Sequence, residues 1–124
     1  MYTIEYYEDN RGRKPVKEYL DELNAKEDKN SRINYDKTQQ YLAILRSFGT
    51  KAGMPYIKHI DGAIWELRPI NERIFFIAWI NGSFLMLHHF TKKSQKTPPP
   101  EIETAKRRLK EQLERSNQGE RHIH

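Results

Sequence analysis

The sequence predicts an α+β domain: a twisted, antiparallel-dominated sheet carrying two N-terminal helices on one face, followed by a C-terminal helix. Three observations carry this. Residues 63–69, 73–80 and 83–90 form three apolar runs of strand length separated by turn residues. Two amphipathic stripes at helical spacing precede them, and a third follows the triple proline 98–100. At 124 residues the chain can build one genuine core but not two, so a single domain over 1–118 is expected, with 119–124 as a loose tail.

Each element has its own local reason. YTIEYY at 2–7 alternates weakly and is rich in β formers, which reads as a first strand ended by Asp9, Asn10, Arg11 and Gly12. Pro15 suits the first turn of a helix, and Val16, Tyr19, Leu20 and Leu23 follow at the spacing of one buried stripe. The polar stretch 24–30 reads as a loop. Ile33, Tyr41, Leu42, Ile44, Leu45 and Phe48 then mark a second helix that stops at Gly49. Residues 51–55 carry glycine and proline without periodicity and read as a connector; the following segment brings Lys58 and His59 within reach of the sheet edge.

Within IWELR at 64–68, period-2 geometry sends Trp65 and Leu67 to one face and Ile64, Glu66 and Arg68 to the other. One face is expected to pack and the other to carry ions. Asn81-Gly82 between RIFFIAWI and SFLMLHHF predicts a two-residue type I′ hairpin turn, because both central residues must adopt positive φ. That register sets Ile80 opposite Ser83, Ala78 opposite Leu85, Phe76 opposite Leu87, Phe75 opposite His88 and Arg73 opposite Phe90. Arg73, His88 and Phe90 then share a face beside Lys92 and Lys93. Thr97 and the prolines open a last helix whose stripe is Ile102, Ala105, Leu109 and Leu113.

A net charge of +5 and a pI near 9.4 favour a polyanionic partner. Eight Lys or Arg against four Glu lie between Lys92 and Arg115, although a solvated helix face would show the same excess. The absence of cysteine removes disulfides, thiolate zinc sites and cysteine nucleophiles. No metal-ligand spacing stands out, and His122 and His124 read as tail residues, so no metal or other cofactor is expected. No apolar run reaches membrane length and no secretory pattern opens the chain, which makes a cytoplasmic location the expectation.

Four motifs taken together resemble the HigB branch of the RelE/ParE toxin superfamily. They are Trp65-Glu66-Leu67-Arg68, the strand led by Arg73, Leu87-His88-His89-Phe90, and Lys92-Lys93 with Pro98 leading to Ala105-Lys106-Arg107-Arg108. The resemblance implies a RelE-like fold and the toxin half of a type II toxin–antitoxin module. The implied activity is that of a metal-independent, ribosome-dependent mRNA endoribonuclease. Its partners would be mRNA, the ribosome and a cognate helix-turn-helix antitoxin of HigA type, held in a hetero-oligomer, with no membrane.

RNA cleavage without a metal proceeds by in-line attack of the 2′-OH on its own phosphorus. It needs a proton acceptor, cations around the phosphate and a donor to the departing oxygen. The resemblance assigns Arg73 as an open phosphate clamp whose loss leaves the fold intact, supported by Arg68. Lys92 and Lys93 supply charge or an acid–base group. His88 is either a proton donor or a packed core histidine. Glu66 either orients Arg68 or acts as base. Lys58, His59, Lys96 and Phe90 are secondary RNA contacts, Phe90 as a stacking surface. Two rival readings stand beside this one: a ParE-like poison of DNA gyrase, and a non-enzymatic nucleic-acid or adaptor domain.

Overall fold

A computed structural model describes residues 1–123, with side chains placed through Ser116, so the expectation of a loose tail at 119–124 falls outside the described side chains. The element order is β1 (Thr3–Tyr6), α1 (Pro15–Ala25), α2 (Lys29–Phe48), a 3₁₀ turn (Gly49–Ala52), β2 (Ile57–Asp61), β3 (Ile64–Leu67), β4 (Glu72–Ala78), β5 (Ser83–Thr91) and α3 (Pro99–Ile123). The five strands form one sheet ordered β1-β5-β4-β3-β2. The β1–β5 pair is parallel and the other three pairs are antiparallel. No helix among the described residues is long and apolar enough to cross a membrane.

Both sheet faces are packed, which corrects the expectation of one apolar and one ionic face. On one side Leu67, Ile74, Phe76, Phe84 and Met86 meet Val16 and Leu20 of α1 and Leu42 and Leu45 of α2, with Trp65 partly buried against them. On the other side Ile64, Phe75, Ile77, Leu85 and Leu87 lie under Ile102, Ala105 and Leu109 of α3. Each fully buried side chain of this size contributes about 1.5–3 kcal/mol by leaving water, so the two layers together hold the sheet between helices. On the α3 face, Asp61 of β2 is ion-paired to Lys106 of α3 at 2.9 Å, and the remaining sheet charges gather at the end that α3 leaves uncovered.

Two element boundaries and the burial of three apolar residues differ from the sequence reading. The loop expected at 24–30 shrinks because Asp28 caps α2, accepting from the Ser31 N–H at 3.0 Å, and the polar residues from Lys29 onward are helical. Residues 57–61, to which the sequence assigned no element after the 51–55 connector, form a full edge strand, since Ile57 and its neighbours pair with β3. Ile33, Phe48 and Leu113, expected on buried stripes, are 45%, 61% and 45% exposed and pack on neither core.

The hairpin combines two one-residue offsets. Asn81 and Gly82 both adopt positive φ (55° and 69°), and Ser83 N–H bonds the Ile80 carbonyl, as a type I′ turn requires. Trp79, however, bonds Ser83 at 2.8 Å, so Ile80 joins the loop and Ala78 faces Phe84 instead of Leu85. A bulge between Phe75 and Phe76 on one strand and Met86 and His88 on the other then leaves Leu87 without a partner. Phe76 faces Met86 rather than Leu87. The second offset cancels the first, and Arg73 lies opposite Phe90 with Phe75 opposite His88.

Candidate functional site

Where α3 stops covering the sheet, the ends of β2, β3, β4 and β5 and the segment after β5 enclose a cleft. Its walls include Lys58, Glu66, Arg68, Arg73, Lys92, Lys93 and Lys96. Six cations therefore surround one carboxylate. Phe90 closes one end, and Ser94, Gln95, Thr97 and Pro98 complete the outer wall. The strands fix the inner groups by register: Lys58 pairs with Glu66, Glu66 with Phe75, and Arg73 with Phe90. The outer lysines come from chain held at both ends. Lys92 N–H donates to the Asn71 carbonyl at 2.6 Å, and Glu101 N–H donates to the Pro98 carbonyl at 3.0 Å.

Glu66 is the hub. It is 3% exposed, with Arg68 Nε at 3.2 Å and Arg73 Nε at 3.7 Å from the same oxygen, Oε1. Burial holds its carboxyl above the ordinary carboxylate range, against the opposing pull of Arg73, Arg68, Lys58 and Lys92. A carboxylate so placed is a better proton acceptor than one in water, because the site disfavours its charge without removing it.

The two arginines differ. Arg73 is 6% exposed, and its Nη1 donates to the carbonyls of Ile70 at 2.9 Å and of Glu72 at 2.8 Å. Ile70 has φ of 54°, a conformation that a β-branched residue adopts only at a cost of about 1–3 kcal/mol. Arg73 thus clasps the strained 69–72 turn and faces Glu66, instead of standing open as a clamp. Arg68 holds no backbone carbonyl. Its Nε lies within ion-pair reach of Glu66 but is misaligned for a hydrogen bond, and it has no hydrogen-bond partner among the described residues. That Nε is itself buried, while Nη1 of the same guanidinium donates to Met54 Sδ at 2.9 Å beside the cation-lined cleft, which Arg68 helps to wall.

The two histidines lie elsewhere. His59 pairs with Trp65, stacks edge-on against its ring at 5.1 Å and contacts the Gly62 carbonyl at 2.7 Å, on the face opposite Lys58 and Glu66. The alternation of β2 separates it from the cleft. His88 is held from α3: Arg108 Nη1 meets its Nδ1 at 3.3 Å, and its Nε2 lies 3.0 Å from Glu101 Oε2. Arginine cannot accept, so Nδ1 is the acceptor and Nε2 carries the proton, donated to Glu101. Burial pushes the ring's pKa down, with Glu101 opposing, which matches a neutral imidazole. His88 is therefore committed to Glu101 and does not line the cleft.

Sequence reasoning missed Glu101, Arg108 and Asn71 as parts of this region. Their contacts join residues 13 to 21 positions apart, and no local pattern signals them. Among the described residues, no group of three or more His, Asp or Glu is arranged to hold a metal ion.

A family model described as Phage derived protein Gp49-like (DUF891) matches residues 18–110, a span from α1 into α3 that includes every cleft residue. No curated protein matches the chain.

Proposed function

The chain belongs to the phage-derived Gp49-like family, a RelE-type, toxin-like family, and from that premise we propose that it is the toxin of a type II toxin–antitoxin module. In this reading it is an endoribonuclease that cuts mRNA on the ribosome. The observation that carries it is the cleft itself: one buried carboxylate with raised basicity inside a ring of six cations, next to an unsatisfied guanidinium N–H. A gyrase-binding surface or a passive basic helix requires no such centre.

The residues divide the chemistry as follows. Glu66 takes the proton of the 2′-OH as its oxygen attacks phosphorus. The O2′–P bond forms, the P–O5′ bond breaks, and a 2′,3′-cyclic phosphate remains. Arg68 and Lys58 lie against the non-bridging oxygens, where charge develops in the transition state. An ammonium of Lys92 or Lys93 returns a proton to the departing 5′ oxygen. Arg73 is a positioning residue that fixes Glu66 and the 69–72 turn. His88 orients Glu101 and moves no proton in the reaction.

The cognate antitoxin is expected to grip the N-terminal helices and exclude the ribosome at a distance. The groove of Ile44, Phe48, Ala52 and Tyr56, with Phe48 61% exposed, offers it an apolar hold.

The test is controlled expression with mapping of mRNA 5′ ends. In-frame cuts that disappear in folded Arg68→Ala and Glu66→Gln variants, together with restored growth, support the reading. Growth arrest with intact mRNA and broken DNA would replace it by gyrase poisoning.

A further inference from the structure

Beside the cation-lined cleft lies a second hollow, and the two share Phe90, Lys93 and Pro98 as a common wall. They differ in size and chemistry. Free space in the cleft is about 20 Å³, little more than one water-sized atom. The neighbouring hollow offers about 400 Å³ and is lined by Phe90, Thr91, Lys93, Pro98, Pro100 and Glu101. A phosphate oxygen fits the first at its mouth, whereas a planar ring fits the second.

Glu101 is out of place on a purely phosphate-binding surface, since a carboxylate repels the backbone that the lysines attract. Its position in the first turn of α3 favours the helix electrostatically, but that role needs neither a hollow nor an orienting partner. Glu101 has both. His88 Nε2–H holds Oε2, and Arg108, which also donates to the Leu87 carbonyl at 2.9 Å, holds the other side of the His88 ring. The carboxylate is thus oriented from the sheet while keeping Oε1 and further lone pairs for another donor. Its side chain remains 27% exposed at the hollow.

We infer that this hollow is a nucleobase subsite that reads guanine on the nucleotide adjoining the cleaved phosphate. Phe90 and the two proline rings supply the stacking surface, which alone accepts any base. Glu101 supplies the discrimination. Guanine presents two adjacent donors, N1–H and N2–H, to the two oxygens of one carboxylate. Adenine and cytosine present an amino group beside an acceptor nitrogen, and uracil presents one N–H between two carbonyls, so each sets an acceptor against the carboxylate. Lys93, on the wall shared by both cavities, spans from the base to its phosphate.

This inference rests on the ribonuclease reading for its meaning, but its test is separable. The full chain is titrated separately with GMP, AMP, CMP and UMP, followed by the NMR shifts of residues around Phe90 and Glu101. GMP is expected to bind tightest, by about tenfold over UMP. Glu101→Gln, which keeps an acceptor for His88 and so preserves the fold, is expected to erase that preference while Phe90 shifts persist for all four. Equal binding of the four nucleotides, tighter binding of another base, or a preference unchanged in Glu101→Gln would overturn the subsite. Mapped cuts provide the second arm: a guanine bias at the cut sites that is lost in Glu101→Gln supports the inference, and a bias that survives refutes it. A wild-type chain that binds GMP selectively yet cuts no RNA would leave the subsite standing and remove the ribonuclease reading.

Discussion

Replacing Arg73 by alanine separates a framing role from a substrate-contacting one. The substitution removes two charge-assisted hydrogen bonds, to the carbonyls of Ile70 and Glu72, and the more deeply buried of the two guanidinium partners of Glu66, 3.7 Å away. Ile70 is 41% exposed, so water replaces much of the first bond. The second contributes about 1.5 kcal/mol. Leaving Glu66 with only a misaligned Arg68 costs about 1–2 kcal/mol more, below the usual cost of a broken buried pair because the carboxyl can take up a proton. The sum, about 3 kcal/mol, corresponds to a fall in melting temperature of about 10 °C for a domain of this size. Arg68→Ala, which strips no backbone carbonyl of its donor, should shift melting by less than about 3 °C while abolishing activity. Thermal unfolding of both purified variants by circular dichroism decides. If Arg73→Ala melts within about 2 °C of the parent protein and is inactive, the guanidinium serves the substrate and the framing argument is wrong.

Further expectations follow from the same geometry. Glu66→Gln should lower RNA cleavage by about a hundredfold or more. It should also gain stability relative to the parent between pH 4 and 7, where the raised carboxyl ionises at a cost; parallel urea curves at both pH values would contradict the raised basicity. His89, stacked on Tyr19 at 4.1 Å, is pushed down to about 4 by burial, while the unfolded chain titrates near 6.5. Over that window the unfolded state binds the extra proton, so stability should fall as pH drops from about 6.5 to about 4 and then level. His89→Phe should flatten the fall in urea midpoint, and an unchanged slope would exonerate His89. In the antitoxin complex, hydrogen exchange should slow across α1, α2 and residues 49–56; protection confined to 66–73 and 92–98 would mean direct occlusion instead.

The face shared by Arg73 and Phe90 was readable from alternation because two departures cancelled: Ile80 entering the loop and Leu87 bulging from β5. Neither leaves a sequence mark, since Asn81-Gly82 promises the same turn with or without Ile80. The grouping of Glu66, Arg68 and the lysines was readable for a simpler reason, as period-2 spacing and chain adjacency bring them to one end of the sheet. The burial of Arg73 was not, because it depends on the left-handed Ile70 placing a carbonyl over the guanidinium. His88 raised two possibilities that the strand pattern left open; Glu101 and Arg108, reaching it from α3, supply the answer. His59 was read by its nearness along the chain, whereas the pleat of β2 turns it away from its neighbour Lys58.

The lysine-bearing wall of the cleft is suspended between two backbone hydrogen bonds, and from Lys93 to Lys96 its residues are exposed. Coulomb attraction fades slowly with separation, so displacing an ammonium by an ångström changes its pull on a phosphate little. Hydrogen bonding and proton transfer are lost over the same ångström. Mutational drift should therefore act unequally on the two halves of the cleft. Basic residues can trade places along 92–96, and the span can tolerate rewording, so long as charge and chain length are kept. Glu66 and Arg73, seated on paired strands, and Arg68, whose N–H bonds the Tyr56 carbonyl just past β3, have no such freedom, and a one-residue slip there would turn these charges onto the face packed against α1 and α2.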